Sequence, residues 1–159
     1  SCLAPAAESS ITLAGRPAIR GTGYAERIVM HVPPWQLGIR ELRWGRWISS
    51  NAARSAVWIE WTGSAARRWV FFDGHLATRG EITDDTIQAG QAQLALGERC
   101  TLHDRTLGKS LGRITALKAV VPKSLLSLRE TKWVRSGVLR LPNLPAVSGT
   151  VIDEVAVFG

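Results

Sequence analysis

Two stretches of this chain set acids and arginines among large aromatics: Gly21-Thr22-Gly23-Tyr24-Ala25-Glu26-Arg27 and Glu41-Leu42-Arg43-Trp44-Gly45-Arg46-Trp47. Both are otherwise apolar enough to be core-forming strands, and burying a charge is costly unless it is paired. Charges at this density make either a structural ion-pair network or the polar floor of a pocket, and the residues themselves leave both open. In a pocket, Glu26 is the candidate proton donor, because burial raises a carboxyl pKa into the range of a general acid. Arg27 cannot shuttle a proton, since a guanidinium stays protonated. Arg27, Arg40 or Arg46 beside Glu26 would instead hold it ionised. If the protein is an enzyme, the chemistry such a set suits is acid-assisted addition, cyclisation or isomerisation of an unsaturated substrate, and it implies no metal and no cofactor.

Other constellations carry less. His31, His75 and His103 are far apart, and none has a partner at metal-ligand spacing. Cys100 and His103 suggest a thiol nucleophile only weakly, because strand neighbours at that spacing point to opposite faces. Asp84-Asp85, between Thr83 and Thr86, reads as a solvated turn. Asp153 and Glu154 must split between the two faces of a strand, so they form no ready carboxylate dyad.

The elements that position these residues are strands. Period-2 runs cover Ser10 to Leu13, Ile19 to Val32, Gly38 to Ser49, Ser55 to Thr62, Arg68 to Phe72 and Glu81 to Ile87. They continue through Gln91 to Leu96, Arg99 to Asp104, Arg113 to Val121, Leu126 to Arg140 and Thr150 to Phe158. Turn signals separate them at Pro33-Pro34, Ser50-Asn51, Thr62-Gly63-Ser64, Asp73-Gly74, Ala89-Gly90, Gly97 and Pro142 to Pro145. The one helix candidate is a single turn over Asn51 to Arg54. About ten strands with short links predict an all-β, antiparallel, lipocalin-like barrel or closed sandwich, since closure removes exposed edges. The expected organisation is one domain over 1–159, with 1–9 a flexible N-terminal segment.

Alternation then sorts the side chains. Tyr24, Glu26, Ile28 and Met30 share one face of their strand, as do Arg40, Leu42, Trp44, Arg46 and Ile48 of the next. If these two strands pair through Pro33-Pro34, Glu26 meets Arg40, Trp44 or Arg46 inside the barrel. Glu154 is carried on the apolar face of Ile152 and Ala156. Gly45, between Trp44 and Arg46, marks a bulge or the close approach of another group. A barrel of this size holds one ligand in its mouth. The expected binding residues are Tyr24, Ile28, Met30, Trp44, Arg46, Trp61 (or Trp58), Ile152 and Glu154, with Glu26 catalytic if there is turnover.

Composition bounds the partners. The chain has 159 residues, seven Trp against one Tyr, and a net charge of +7. Trp suits pocket walls and interfaces as well as cores. The basic residues are spread from Arg16 to Arg140 rather than run together, which argues against a dedicated nucleic-acid binder and leaves weak polyanion binding. No apolar run approaches the roughly 20 residues of a membrane span. Two cysteines and no signal-peptide pattern lead to the expectation of free thiols and a cytoplasmic protein.

Gly23-Tyr24-Ala25-Glu26, then Trp44-Gly45-Arg46, Trp133 and the closing Gly149–Val155 segment resemble the later half of the hydroxyneurosporene-synthase-like (carotenoid-hydratase-like) family. That resemblance implies one lipocalin-like β-domain of two that enclose an apolar ligand, and it covers nearly the whole of this chain but half of a family member. Where the family pattern has Asp, His and Trp-Gly, this chain has Glu26, Arg27 and Val29-Met30. An acid–base pair built on Asp and His has therefore lost its His, and a missing half-site calls for a homodimer. The competing classes are a non-catalytic module that dimerises through a Trp-rich surface, and a weak polyanion binder.

Overall fold

The computed structural model describes residues 2–27, 29, 31–32, 36–64, 66–110 and 123–158, of which 63% are strand and 5% helix. In chain order the strands are β1 (Cys2–Ile11), β2 (Ile19–Glu26), β3 (Ile39–Ser49), β4 (Ser55–Gly63), β5 (Arg67–Phe72) and β6 (His75–Leu76). Next come β7 (Gly80–Ile82), β8 (Thr86–Ala89), β9 (Ala92–Leu96) and β10 (Cys100–Thr106). Two four-residue helices follow, α1 (Leu107–Ser110) and α2 (Lys123–Leu126), before β11 (Arg129–Arg140) and β12 (Val147–Val157).

Ten strands form one antiparallel sheet in the order β6-β5-β4-β3-β12-β11-β9-β8-β7, with β10 paired to the N-terminal half of β11. The all-β, barrel-like class expected from the alternation is what forms. The sheet curls until its far ends meet: Gly80 of β7 lies against Val70 of β5, and the Arg68 guanidinium donates to the Gly80 carbonyl at 3.3 Å. β1 and β2 make a separate two-stranded hairpin that touches β4.

The inside of the curl is lined by large, buried side chains. Trp47, Trp58, Val70, Ile87, Leu94, Leu139 and Val151 are each at most 2% exposed. Small residues opposite large ones make this possible. A Cβ on Gly45 would overlap the Trp58 indole that crosses it, and one on Gly137 would come within 2.6 Å of Trp47 Cδ1. The Trp47 indole N–H donates to the Gly137 carbonyl at 3.1 Å, so the largest core side chain leaves no buried donor idle. Gly45 is thus the close approach its position suggested.

Several boundaries differ from the alternation. Residues expected as a flexible lead-in through residue 9 include β1, which pairs with β2. β2 ends at Glu26 instead of running to Val32, and β3 pairs with β4 and β12, so the β2–β3 hairpin does not form. Asn51 to Arg54 is a turn and not a helix. Asn51 Oδ1 accepts the Ala53 N–H at 3.1 Å and Ala52 takes a left-handed φ of 57°, so the side chain captures the backbone that a helix would need. The run Glu81 to Ile87 breaks because the Thr83 hydroxyl accepts the Thr86 N–H at 3.0 Å, closing a turn over Asp84-Asp85. Leu126 belongs to α2, and β11 starts at Arg129. Asp73-Gly74 does form the hairpin turn between β5 and β6, with φ of 48° and 80°. The expected strand Arg113 to Val121 and Pro33-Pro34 lie outside the described residues.

Candidate functional site

The pairing of β3 with its neighbours divides the sequence-derived site residues between two faces. Gly45, Trp47 and Ser49 point to the packed interior, opposite Trp58, Ala56, Asp153 and Val151. Trp44, Arg46 and Ile48 therefore lie on the outer face, where Arg46 pairs across strands with Ile152, Ile48 with Thr150 and Trp44 with Glu154. Trp61 shares that outer face and meets Trp69 edge to face, ring centroids 5.0 Å apart. Trp58, its alternative, belongs to the core. The expected set of Trp44, Arg46, Trp61, Ile152 and Glu154 is thus brought to one face, but that face is turned away from the barrel interior. A one-residue parity decides it: Trp47 and Trp58, 0% and 2% exposed, take the interior face, and the expected set falls on the other.

A groove of about 290 Å³ opens on the outer face. Its floor is the two cross-strand pairs Arg46–Ile152 and Ile48–Thr150, its end is the Ser49-Ser50 turn, and Thr22 of β2 borders it from the hairpin. Ser50 is fixed there by its hydroxyl and N–H, both donating to the Ser148 carbonyl, at 3.2 and 3.0 Å. The volume is at the lower end for small-molecule sites. Mixed apolar and hydroxyl walls with a guanidinium at one point suit an amphipathic guest better than a purely apolar one. Further along the same face Lys132 bridges Glu154 at 3.0 Å and Glu130 at 3.3 Å. Burial pulls the Lys132 ammonium down, but the two carboxylates outweigh it and hold its pKa above the ordinary value.

The interior face carries a different cluster, above the packed core. Arg135 on β11 and Asp153 on β12 form an ion pair at 2.6 Å, their side chains 3% and 7% exposed. Arg135 also donates to the Asp84 backbone carbonyl at 2.6 Å. The Asp84 carboxylate, exposed at the rim, receives Arg99 at 3.0 Å and Arg43 at 3.1 Å, and Arg43 in turn holds Glu41 at 2.7 Å. The Arg99 guanidinium sits 4.7 Å over the Trp133 ring. Burial pushes the Asp153 carboxyl up, with Arg135 pulling back against it. The hydrogen bond from Arg99 holds the Asp84 carboxyl below the usual carboxylate range. Both Arg135 Nε and Asp153 Oδ1 are buried without a hydrogen-bond partner among the described residues. This is a structural clamp across β3, β11, β12 and the β7–β8 turn.

Glu26 and Tyr24 lie on β2 by backbone, but their side chains, with Ile28 and Met30, are outside the described residues. Asp153 and Glu154 split between faces as alternation requires. The alternation missed Arg135, Asp84 and Arg99 as partners of one network. Its signal was available for one pair. A hairpin centred on Asn143 sets Arg135 opposite Val151, which leaves Asp153 as the diagonal neighbour of Arg135. Among the described residues no cluster of His, Cys, Asp and Glu has a metal-binding arrangement, Cys100 is a free exposed thiol, and no helix is long and apolar enough to cross a membrane. Comparison with family models, curated proteins and solved structures gives no match.

Proposed function

We propose that the protein binds an amphipathic small molecule, an apolar body with an acidic end, in the outer-face groove between the β1–β2 hairpin and the β3–β12 pair. The observation that carries this is the floor itself. Arg46 stands beside Ile152 in a cross-strand pair, so a guanidinium and an aliphatic surface meet within one ladder step. A carboxylate or phosphate is the group a guanidinium attracts, beside whatever partner Arg46 already has, and an alkyl or isoprenoid-like body suits Ile48 and Ile152. Trp44 and Trp61 share that face but are not among the residues that line the groove.

Turnover of an unsaturated ligand is a further step that would fall to Glu26, which β2 carries four residues beyond Thr22. The resemblance to carotenoid-hydratase-like proteins supports that reading through the Gly23-to-Glu26 motif. The described lining of the groove adds no carboxylic acid to it.

Tryptophan emission titrated with a fatty acid and with the matching fatty alcohol tests the binding. Arg46→Ala should weaken the acid about 10- to 100-fold, the worth of a hydrogen bond to a charged group, and leave the alcohol nearly unchanged. No saturable change with either probe, or an equal loss for both in the variant, would overturn the proposal. Glu26→Gln, assayed on an unsaturated substrate with binding measured alongside, separates catalysis from binding.

A further inference from the structure

The tip of the β1–β2 hairpin is exposed over residues 8–22, yet it carries three large aliphatic side chains. Ile11 is 57% exposed, Leu13 49% and Ile19 61%. They are held together by the fold: Ile11 and Ile19 are the last cross-strand pair, and Leu13 begins the turn. The Arg16 N–H donates to the Leu13 carbonyl at 3.0 Å and Gly15 takes a φ of 72°, so the turn is closed and presents the three side chains as one end. Arg16 and Arg20 flank them, both exposed, and the stretch from Ser9 to Ala25 contains no Asp or Glu. The nearest acid, Glu8, is set back about 10 Å from Ile11 at strand rise.

We propose that this tip docks on an anionic lipid surface, with Ile11, Leu13 and Ile19 entering the acyl boundary and Arg16 and Arg20 at the headgroup phosphates. Interfacial segments seat apolar side chains about 5–10 Å into that boundary, a depth the tip reaches before Glu8 does. Three other occupants fit less well. A second copy of this chain would bring the two arginines against a molecule of net charge +7. A nucleic acid would accept the arginines, but the tip offers no aromatic ring on which a base stacks. An acidic protein would need a cleft matched to three exposed aliphatic chains, whereas a bilayer needs no preformed cleft. The inference stands on the hairpin tip and is independent of the groove.

Co-sedimentation with vesicles of phosphatidylcholine, with and without phosphatidylserine, tests it. The parent chain should partition onto the serine-containing vesicles, and less so as salt is raised. Arg16→Gln with Arg20→Gln should lower the partition about 25-fold, at about fivefold for each basic residue near such a surface. Ile11→Ser, Leu13→Ser and Ile19→Ser together should lower it at least about tenfold with both arginines kept. The parent melting temperature should survive, since the tip is exposed. If the triple variant melts lower, Leu13→Ser alone, in the turn, is the variant to compare, with a smaller loss expected. Failure of the parent to bind anionic vesicles would overturn the proposal. So would aliphatic variants that bind as well as the parent, which would assign the effect to the general basic surface. Self-association or RNA binding that the tip variants abolish, without vesicle binding, would name a different occupant and refute this one.

Discussion

Asp153→Asn is the sharpest probe of the clamp on the interior face. The substitution keeps the shape of the side chain and removes its charge, leaving the Arg135 guanidinium, 3% exposed, without its counter-ion. Removing one partner of a buried pair typically costs about 3–5 kcal/mol. Arg135 keeps its 2.6 Å bond to the Asp84 backbone carbonyl, and the amide oxygen of Asn still accepts, so the loss should sit near the low end, about 3 kcal/mol. For a chain of 159 residues, at about 2–4 °C per kcal/mol, that is a fall of about 6–12 °C in the melting midpoint. The complementary change, Arg135→Met with Asp153→Leu, replaces both charges with apolar volume and should recover most of it, since buried pairs are often worth no more than a hydrophobic isostere. Arg135→Met alone strands the carboxylate. Its folded pKa then rises further above its unfolded value, so stability is retained below about pH 4 and lost as pH rises through the folded value. The deficit of that variant should therefore shrink on acidification. Differential scanning calorimetry at neutral and mildly acid pH reads all three. An Asp153→Asn midpoint within about 2 °C of the parent, less than about 1 kcal/mol, would refute the reasoning and mean that Arg135 reaches solvent.

Two further outcomes are expected. Asp84, whose folded pKa is lowered by Arg99 and Arg43, contributes stability above about pH 4 that is lost as pH falls through its folded value; Asp84→Asn should melt below the parent at neutral pH and converge with it in acid, and parallel curves at all pH values would contradict this. Gly45→Ala places a methyl into the Trp58 indole and should cost about 1–3 kcal/mol by overpacking, read as an earlier denaturant midpoint; an unchanged midpoint would mean that the indole swings aside.

The all-β class was legible because alternation and turn chemistry agree along most of the chain. Asp73-Gly74 turned where such a pair must, and the long strands β3, β4, β11 and β12 lie close to the runs that period 2 marks out. The misses share a cause. The Thr83 hydroxyl, bonding nearby backbone, broke Glu81 to Ile87, and Asn51 did the same at the β3–β4 turn, where the sequence suggests a helix. A hydrophobicity pattern does not register such bonds. Pairing between distant elements was equally hidden. Neighbouring strands in sequence usually pair, as β1 with β2 and β3 with β4 do, yet β2 does not pair with β3, whose other edge finds β12 about a hundred residues later.

The site residues expose a deeper ambiguity. Alternation placed Trp44, Arg46, Ile152 and Glu154 on shared faces correctly, because period 2 fixes which side chains travel together. It does not fix which of the two faces is buried when both carry tryptophan. On β3 the choice between Trp44 and Trp47 is decided by what lies across the sheet. Gly137 opens space for the Trp47 indole and for Val151, and Gly45 clears a path for Trp58. Size complementarity between partners thus set the polarity of the sheet, and the glycines were its visible trace in the sequence. The same parity put Arg43 and Asp153 on the interior face, where charges must be paired, and Arg46 on the outer one. The charges of these two stretches therefore divide between opposite faces of one sheet: Arg43 and Glu41 pair within the clamp, and Arg46 lines the groove proposed as a binding site.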